Sequence, residues 1–157
     1  MFRNILIGII AIAGLAVAYV LISPAFQVKV ANENSPTVEI GDQDIVVKTE
    51  QPSKQVSLVS ADFVKSAHDV KGRAVVIDAG SLRVLRFEDF ETINGPDLRI
   101  WLATDTSGED YIDLGEIKAT KGNVNYDLPP GVDLNKYKDV LVWCRAFHVL
   151  FSYAELK

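Results

Sequence analysis

Val140-Leu-Val-Trp-Cys-Arg-Ala-Phe-His-Val-Leu-Phe151 is the stretch that most limits how this chain can fold. It is β-branched, aromatic or aliphatic almost throughout, lacks Gly and Pro, and holds the only cysteine. Such a run, opened by polar Asn135-Lys-Tyr-Lys-Asp139, predicts a strand buried on both faces. Alternation with period two puts Leu141, Trp143, Arg145, Phe147, Val149 and Phe151 on one face. Val140, Val142, Cys144, Ala146, His148 and Leu150 take the other. That second face carries both residues capable of redox or metal chemistry.

From Val56 onward short β-type runs alternate with turn signals. Gly72-Arg-Ala-Val-Val-Ile77 and Leu82-Arg-Val-Leu-Arg-Phe87 flank a turn at Asp78-Ala-Gly-Ser81 and predict a hairpin. Asn94-Gly-Pro-Asp97 is a compact turn leading into Leu98-Arg-Ile-Trp-Leu-Ala103. Tyr111-Ile-Asp-Leu114, Gly122-Asn-Val-Asn-Tyr-Asp-Leu128 and Ser152-Tyr-Ala-Glu-Leu156 complete the series. Nothing after residue 24 holds a helical period beyond a turn or so. The pattern predicts an all-β, antiparallel β-sandwich of about eight strands over residues 56–157, preceded by a single N-terminal transmembrane helix.

That helix is expected within residues 1–23. Residues 5–22 are eighteen in number and uncharged. As a helix they would run about 27 Å, close to the roughly 30 Å of a bilayer's hydrocarbon core. A cleaved signal peptide is the alternative, with Ala16-Val-Ala18 as its site, and a buried core helix is a further one. Arg3 before the span keeps the short N-terminus cytoplasmic and the rest outside, a single-pass protein of the cell membrane with an extracytoplasmic domain. Ser23-Pro24 stops the helix. Residues 24–55 are a stalk of weak strand character, with apolar fragments at 38–40 and 45–47 that could pair as a small hairpin.

Charge and cysteine count exclude several classes. Without residues 1–23 the chain keeps 15 basic and 21 acidic residues, net −6, which argues against nucleic acid or an anionic membrane surface as ligand. One cysteine permits no internal disulfide, no cysteine-based zinc cluster and no lipoprotein processing at the apolar segment. No nucleophile elbow, phosphate loop or dinucleotide fingerprint marks an enzyme. The 105–110 stretch, Asp-Thr-Ser-Gly-Glu-Asp, lacks calcium-loop spacing and reads as a solvated hairpin tip.

Asp89-Phe90, Asn94-Gly-Pro-Asp-Leu98, Leu114-Gly115 with Lys118, Gly122 with Tyr126, Leu128-Pro129, and Trp143-Cys144 with Phe147 and Phe151 follow one another in a recognisable order. In this the chain, over about residues 57–157, resembles the DM-thirteen domain family. That family is described as an electron-transfer domain of Skeletor-type extracellular proteins, found beside DOMON and cytochrome-b-type modules. The family's opening Gly-x-Phe is Ala61-Asp-Phe63 here, whereas His68 matches its histidine. His148 stands where the family commonly has a small residue. The resemblance implies an extracytoplasmic β-domain with a redox role for Cys144.

Read from the residues alone, Cys144 is a small hydrophobe in a buried strand. Redox chemistry would need a partner, because a thiol couple requires a second sulfur. The remaining routes are a bound metal or haem, or one-electron chemistry at the sulfur with an extracytoplasmic redox protein. His148 lies four strand residues from Cys144, about 13 Å away, too far to share a metal unless a bulge intervenes. A first shell would combine Cys144 with His68, supplemented by Asp89 or Asp97. Haem would have only Cys144 or the two histidines as axial ligands. The competing class is a non-catalytic surface module that binds a protein or glycan, with Cys144 as core.

Overall fold

A computed structural model describes residues 12–14, 17, 27–36, 56–78 and 82–157. Among these are ten strands: β1 (Val30–Asn32), β2 (Val56–Asp62), β3 (Val64–Lys65), β4 (Val70–Asp78), β5 (Arg83–Thr92), β6 (Leu98–Ala103), β7 (Tyr111–Glu116), β8 (Lys121–Asp127), β9 (Asp139–Cys144) and β10 (Val149–Glu155). They form two five-stranded sheets, ordered β1-β8-β5-β4-β2 and β3-β10-β9-β6-β7. The all-β expectation holds, with ten strands where the pattern gave about eight. Every pairing is antiparallel except that of β1 with β8, which is parallel.

Alternation builds the core between the sheets. Ala74 and Val76 of β4, Leu85 and Phe87 of β5, Val124 and Tyr126 of β8 face Ile100 and Leu102 of β6 and Val140, Val142 and Cys144 of β9. Each fully buried aliphatic or aromatic side chain contributes about 1.5–3 kcal/mol of apolar burial. Phe63 bridges the sheets where β2 hands over to β3, and its ring meets Phe87 at 4.9 Å and Phe90 at 5.0 Å. Phe87 and Phe90 are three residues apart yet share this core, because β5 bulges at Asp89, whose φ is 49°. The bulge is matched on β4 at Gly72, with φ of 96°. Tyr126 is buried among these rings; its hydroxyl accepts a bond from the Lys118 amide, and burial raises its pKa.

The expected 140–151 strand is corrected to a hairpin. β9 stops at Cys144, residues 145–148 turn, and β10 returns alongside. His148 takes a φ of 53°, a left-handed conformation that histidine adopts more readily than most residues. Alternation therefore holds through Cys144 and fails after it. A register shift between Leu150 and Ser152 then resets the faces of β10, so Phe151, Ser152 and Ala154 are all buried.

Within the 24–55 segment, β1 is fastened to the domain. The Lys29 amide donates to the Thr120 hydroxyl at 3.0 Å, and the Thr120 amide returns a bond to the Lys29 carbonyl at 2.8 Å. Arg86 donates to the Glu33 carbonyl at 3.1 Å, and Glu33 accepts from the Asn125 amide at 2.8 Å. Residues 12–14 and 17 are helical, and no helix among the described residues is long and apolar enough to cross a membrane. Most of the 5–22 span, the 38–40 and 45–47 fragments and turn residues 79–81 lie outside the described residues.

Asp139, at the start of β9, is only 6% exposed, and burial raises its pKa from the ordinary aspartate value. A raised carboxylate costs stability above its folded pKa, and the cost fades as pH falls from there toward the unfolded value. Asp139→Asn is therefore expected to raise Tm at pH 7, with the gain shrinking as the pH is lowered and gone near pH 3.8. Thermal melts of both proteins across pH check this. A gain that persists below that pH would locate the effect elsewhere.

Candidate functional site

Cys144 ends β9 on the core face, paired with Leu98 of β6 and Val149 of β10. It is a free cysteine with 0% exposure. The elements around it are those the sequence singled out. The 94–97 turn precedes β6, and the Asn94 side-chain oxygen accepts the Gly95 amide at 3.0 Å. A Cβ on Gly95 would press on Leu98 at 3.0 Å and on the tip of the Phe151 ring at 3.1 Å, so glycine here lets β10 pack against the turn. Arg145, the first residue after Cys144, is tied to the same turn. Its amide donates to the Asp97 carbonyl at 2.9 Å, and its Nε donates to the Asp97 carboxylate at 2.7 Å. Asp97 raises the Arg145 pKa, first through that hydrogen bond. The pair is partly exposed, so it fixes geometry more than it adds stability.

His68 follows β3. Its amide donates to the Phe151 carbonyl at 3.1 Å, and its half-buried ring lies 4.0 Å from the Phe151 ring. Phe151 belongs to the same core as Cys144. His68 is thus brought to the Cys144 end of the sandwich. The Asp97 carboxylate holds Arg145, and Asp89 sits in the β5 bulge, where its backbone amide donates to the Asn123 side-chain oxygen at 3.0 Å. Among the described residues no three His, Cys, Asp or Glu side chains converge as a metal set. His148 is exposed on the 145–148 turn, so the separation expected along an extended strand does not apply to it.

On the opposite face of the same sheet lies an arrangement the sequence reading did not contain. Trp101 stacks on Tyr111 with ring centroids 3.7 Å apart and planes 11° apart. Trp143 stacks on the other side of Trp101 at 4.9 Å and 19°. The register explains this: Trp101 pairs with Asp113 and with Leu141, so Tyr111 and Trp143 are its diagonal neighbours, within reach of large rings. The 104–110 loop folds over the stack, and Gly108, with φ of 69°, is so close that a Cβ would lie 3.1 Å from Trp101 and 3.2 Å from Trp143. Both indole N–H groups are buried with no protein acceptor among the described residues. The loop is closed by Lys136 and the Tyr137 hydroxyl, each 3.0 Å from the Asp110 carboxylate. The Lys136 hydrogen bond leads in lowering the Asp110 pKa. One strand therefore carries an enclosed thiol on one face and, at the adjoining residue, the partly buried end of a three-ring stack on the other. Tyr111 is its exposed end.

A family model described as Electron transfer DM13 matches residues 62–156. No curated protein and no solved structure matches the chain.

Proposed function

The chain belongs to the Electron transfer DM13 family, and we propose that it is a membrane-anchored, extracytoplasmic electron-transfer accessory whose redox group is Cys144. The observation that carries this reading is the seat of the sulfur, enclosed yet one residue from Trp143, whose ring stacks through Trp101 to exposed Tyr111. Thiol–disulfide exchange needs a second sulfur and open access to it. This chain has one cysteine, and it is sealed. An electron can leave an enclosed group without contact. Oxidation of Cys144 sends one electron to a one-electron oxidant on an extracytoplasmic redox protein and releases the thiol proton to solvent water, leaving a thiyl radical. The anchor is the uncharged 5–22 segment.

The test uses the full chain in lipid nanodiscs, titrated with one-electron oxidants of graded potential, with metal content and visible spectrum taken on the same sample. The wild type is expected to take up one oxidising equivalent that Cys144→Ala does not, with both proteins showing the same β-sheet circular dichroism. Equal uptake by the two proteins would sink the role of Cys144.

A second reading, a non-catalytic module binding a protein or glycan, is favoured by the same burial. Cys144 lies among Val140, Val142 and other core residues like any small apolar side chain. On that reading Cys144→Ala lowers Tm and changes no redox property.

A further inference from the structure

The most exposed large apolar side chains of the sandwich are not scattered. The four most exposed among the described strands and loops are Phe147 at 68%, Val28 at 67%, Val30 at 64% and Ile93 at 53%. All four lie at one end. There β1, β6, β8 and β10 begin and β5 and β9 finish, as the registers Val30↔Lys121, Glu91↔Lys121, Leu98↔Cys144 and Val149↔Cys144 require. Hydrogen bonds hold the patch together. Asn94, beside Ile93, donates to the Gln27 carbonyl at 3.2 Å, and the amide of Arg145, in the Phe147 turn, bonds the Asp97 carbonyl of the neighbouring turn.

The chain enters the sandwich at this same end. Only residues 23–26 separate the uncharged segment ending at Ile22 from Gln27, so the two are at most about 18 Å apart. A membrane-embedded Ile22 therefore keeps this end within reach of the headgroup layer. Aromatic and aliphatic side chains on a polar surface are the composition that settles there.

We propose that this end of the domain docks on the bilayer surface beside its own anchor, with Phe147, Ile93 and Val28 entering the headgroup layer. The proposal rests on the anchor of the preceding section. The contact is apolar, so it needs no anionic lipid. It stands the sandwich upright, because Tyr111 begins β7 opposite Ala103, the last residue of β6, at the far end. The aromatic stack thus runs from Trp143 away from the membrane toward an extracytoplasmic partner.

The experiment places an environment-sensitive fluorophore at Phe147→Cys, Ile93→Cys or Leu82→Cys in the full chain in phosphatidylcholine nanodiscs, Cys144 being too enclosed to label. The 93 and 147 probes are expected to emit blue-shifted light and to be quenched at least two-fold by doxyl-labelled lipid. The 82 probe, at the opposite end, is expected to show neither effect. Phe147→Asp should weaken the quenching seen at 93. Water-like emission at all three sites would overturn the proposal. So would a blue shift that doxyl lipid leaves unquenched, which would put a second protein on the patch. Protein recovered free of the discs, with a mature N-terminus beyond residue 18, would instead overturn the anchor and the docking with it.

Discussion

Gly72→Ala is expected to lower the unfolding free energy by about 3–5 kcal/mol, a large share of the 5–15 kcal/mol typical of a domain. Two costs combine. The residue holds φ at 96°, where a side chain is strained by about 1–3 kcal/mol. The new Cβ would also meet backbone: the Glu88 carbonyl oxygen, the Asp89 carbonyl carbon at 2.8 Å and the Phe90 Cα at 2.7 Å. Backbone cannot rotate aside as a flexible side chain can, so the β5 bulge would shift and take Phe87 and Phe90 with it. Gly131→Ala is the control. Its φ is 77° but nothing lies within 4 Å of its Cβ, so only the conformational cost, about 1 kcal/mol, should appear. Urea denaturation of both variants measures the difference. Equal losses would show that crowding at the bulge contributes nothing.

Gly122→Ala should act on one strand and spare the rest. Its φ is 111°, and a Cβ there would overlap the Ala31 carbonyl oxygen on β1. β8 keeps its antiparallel partner β5 whatever happens to β1, so the expected result is a folded sandwich with β1 released. Amide exchange reads this directly. The bond from the Glu33 amide to the Asn123 carbonyl, 2.9 Å in the native sheet, should lose its protection, while amides of β4, β5 and β9 keep theirs. Unchanged protection at Glu33 would refute the account. On the proposed docking, the variant should also lose part of the lipid quenching at position 93, because β1 joins the domain to residues 23–26.

Much of this architecture could be read from residues. β6 is the Leu98–Ala103 run as the sequence presented it, and β4 with β5 is the expected hairpin around residues 78–81. The 145–148 turn could not be found by turn chemistry, since Arg-Ala-Phe-His contains no Gly, Pro, Asn or Asp. It is made instead by His148 in a left-handed conformation and by Asp97, forty-eight positions away, holding Arg145. β1 was invisible for a similar reason. Val-Ala-Asn has little strand signal of its own, and its partners stand 91 positions later. At the candidate site Cys144 was conspicuous as the only cysteine. The Tyr111–Trp101–Trp143 stack depends on cross-strand register, which local pattern does not encode.

On the proposed anchoring, the parallel seating of β1 also bears on how many of these molecules can share a membrane. Exposed sheet edges invite neighbouring chains to pair and aggregate, and tethering to a surface raises the frequency of such encounters. Here β1 covers the β8 edge, and Ser60 on the β2 edge exchanges backbone bonds with Lys157. In the other sheet the β3 edge is two residues long. β7, six residues long, is the other edge of that sheet. It is interrupted by a register shift and by Gly115 at φ of 111°, and its Asp113 is bound sideways to Arg99 at 2.9 Å. On the proposed anchoring, a dense two-dimensional population of these domains would stay separate, each free to meet a partner singly.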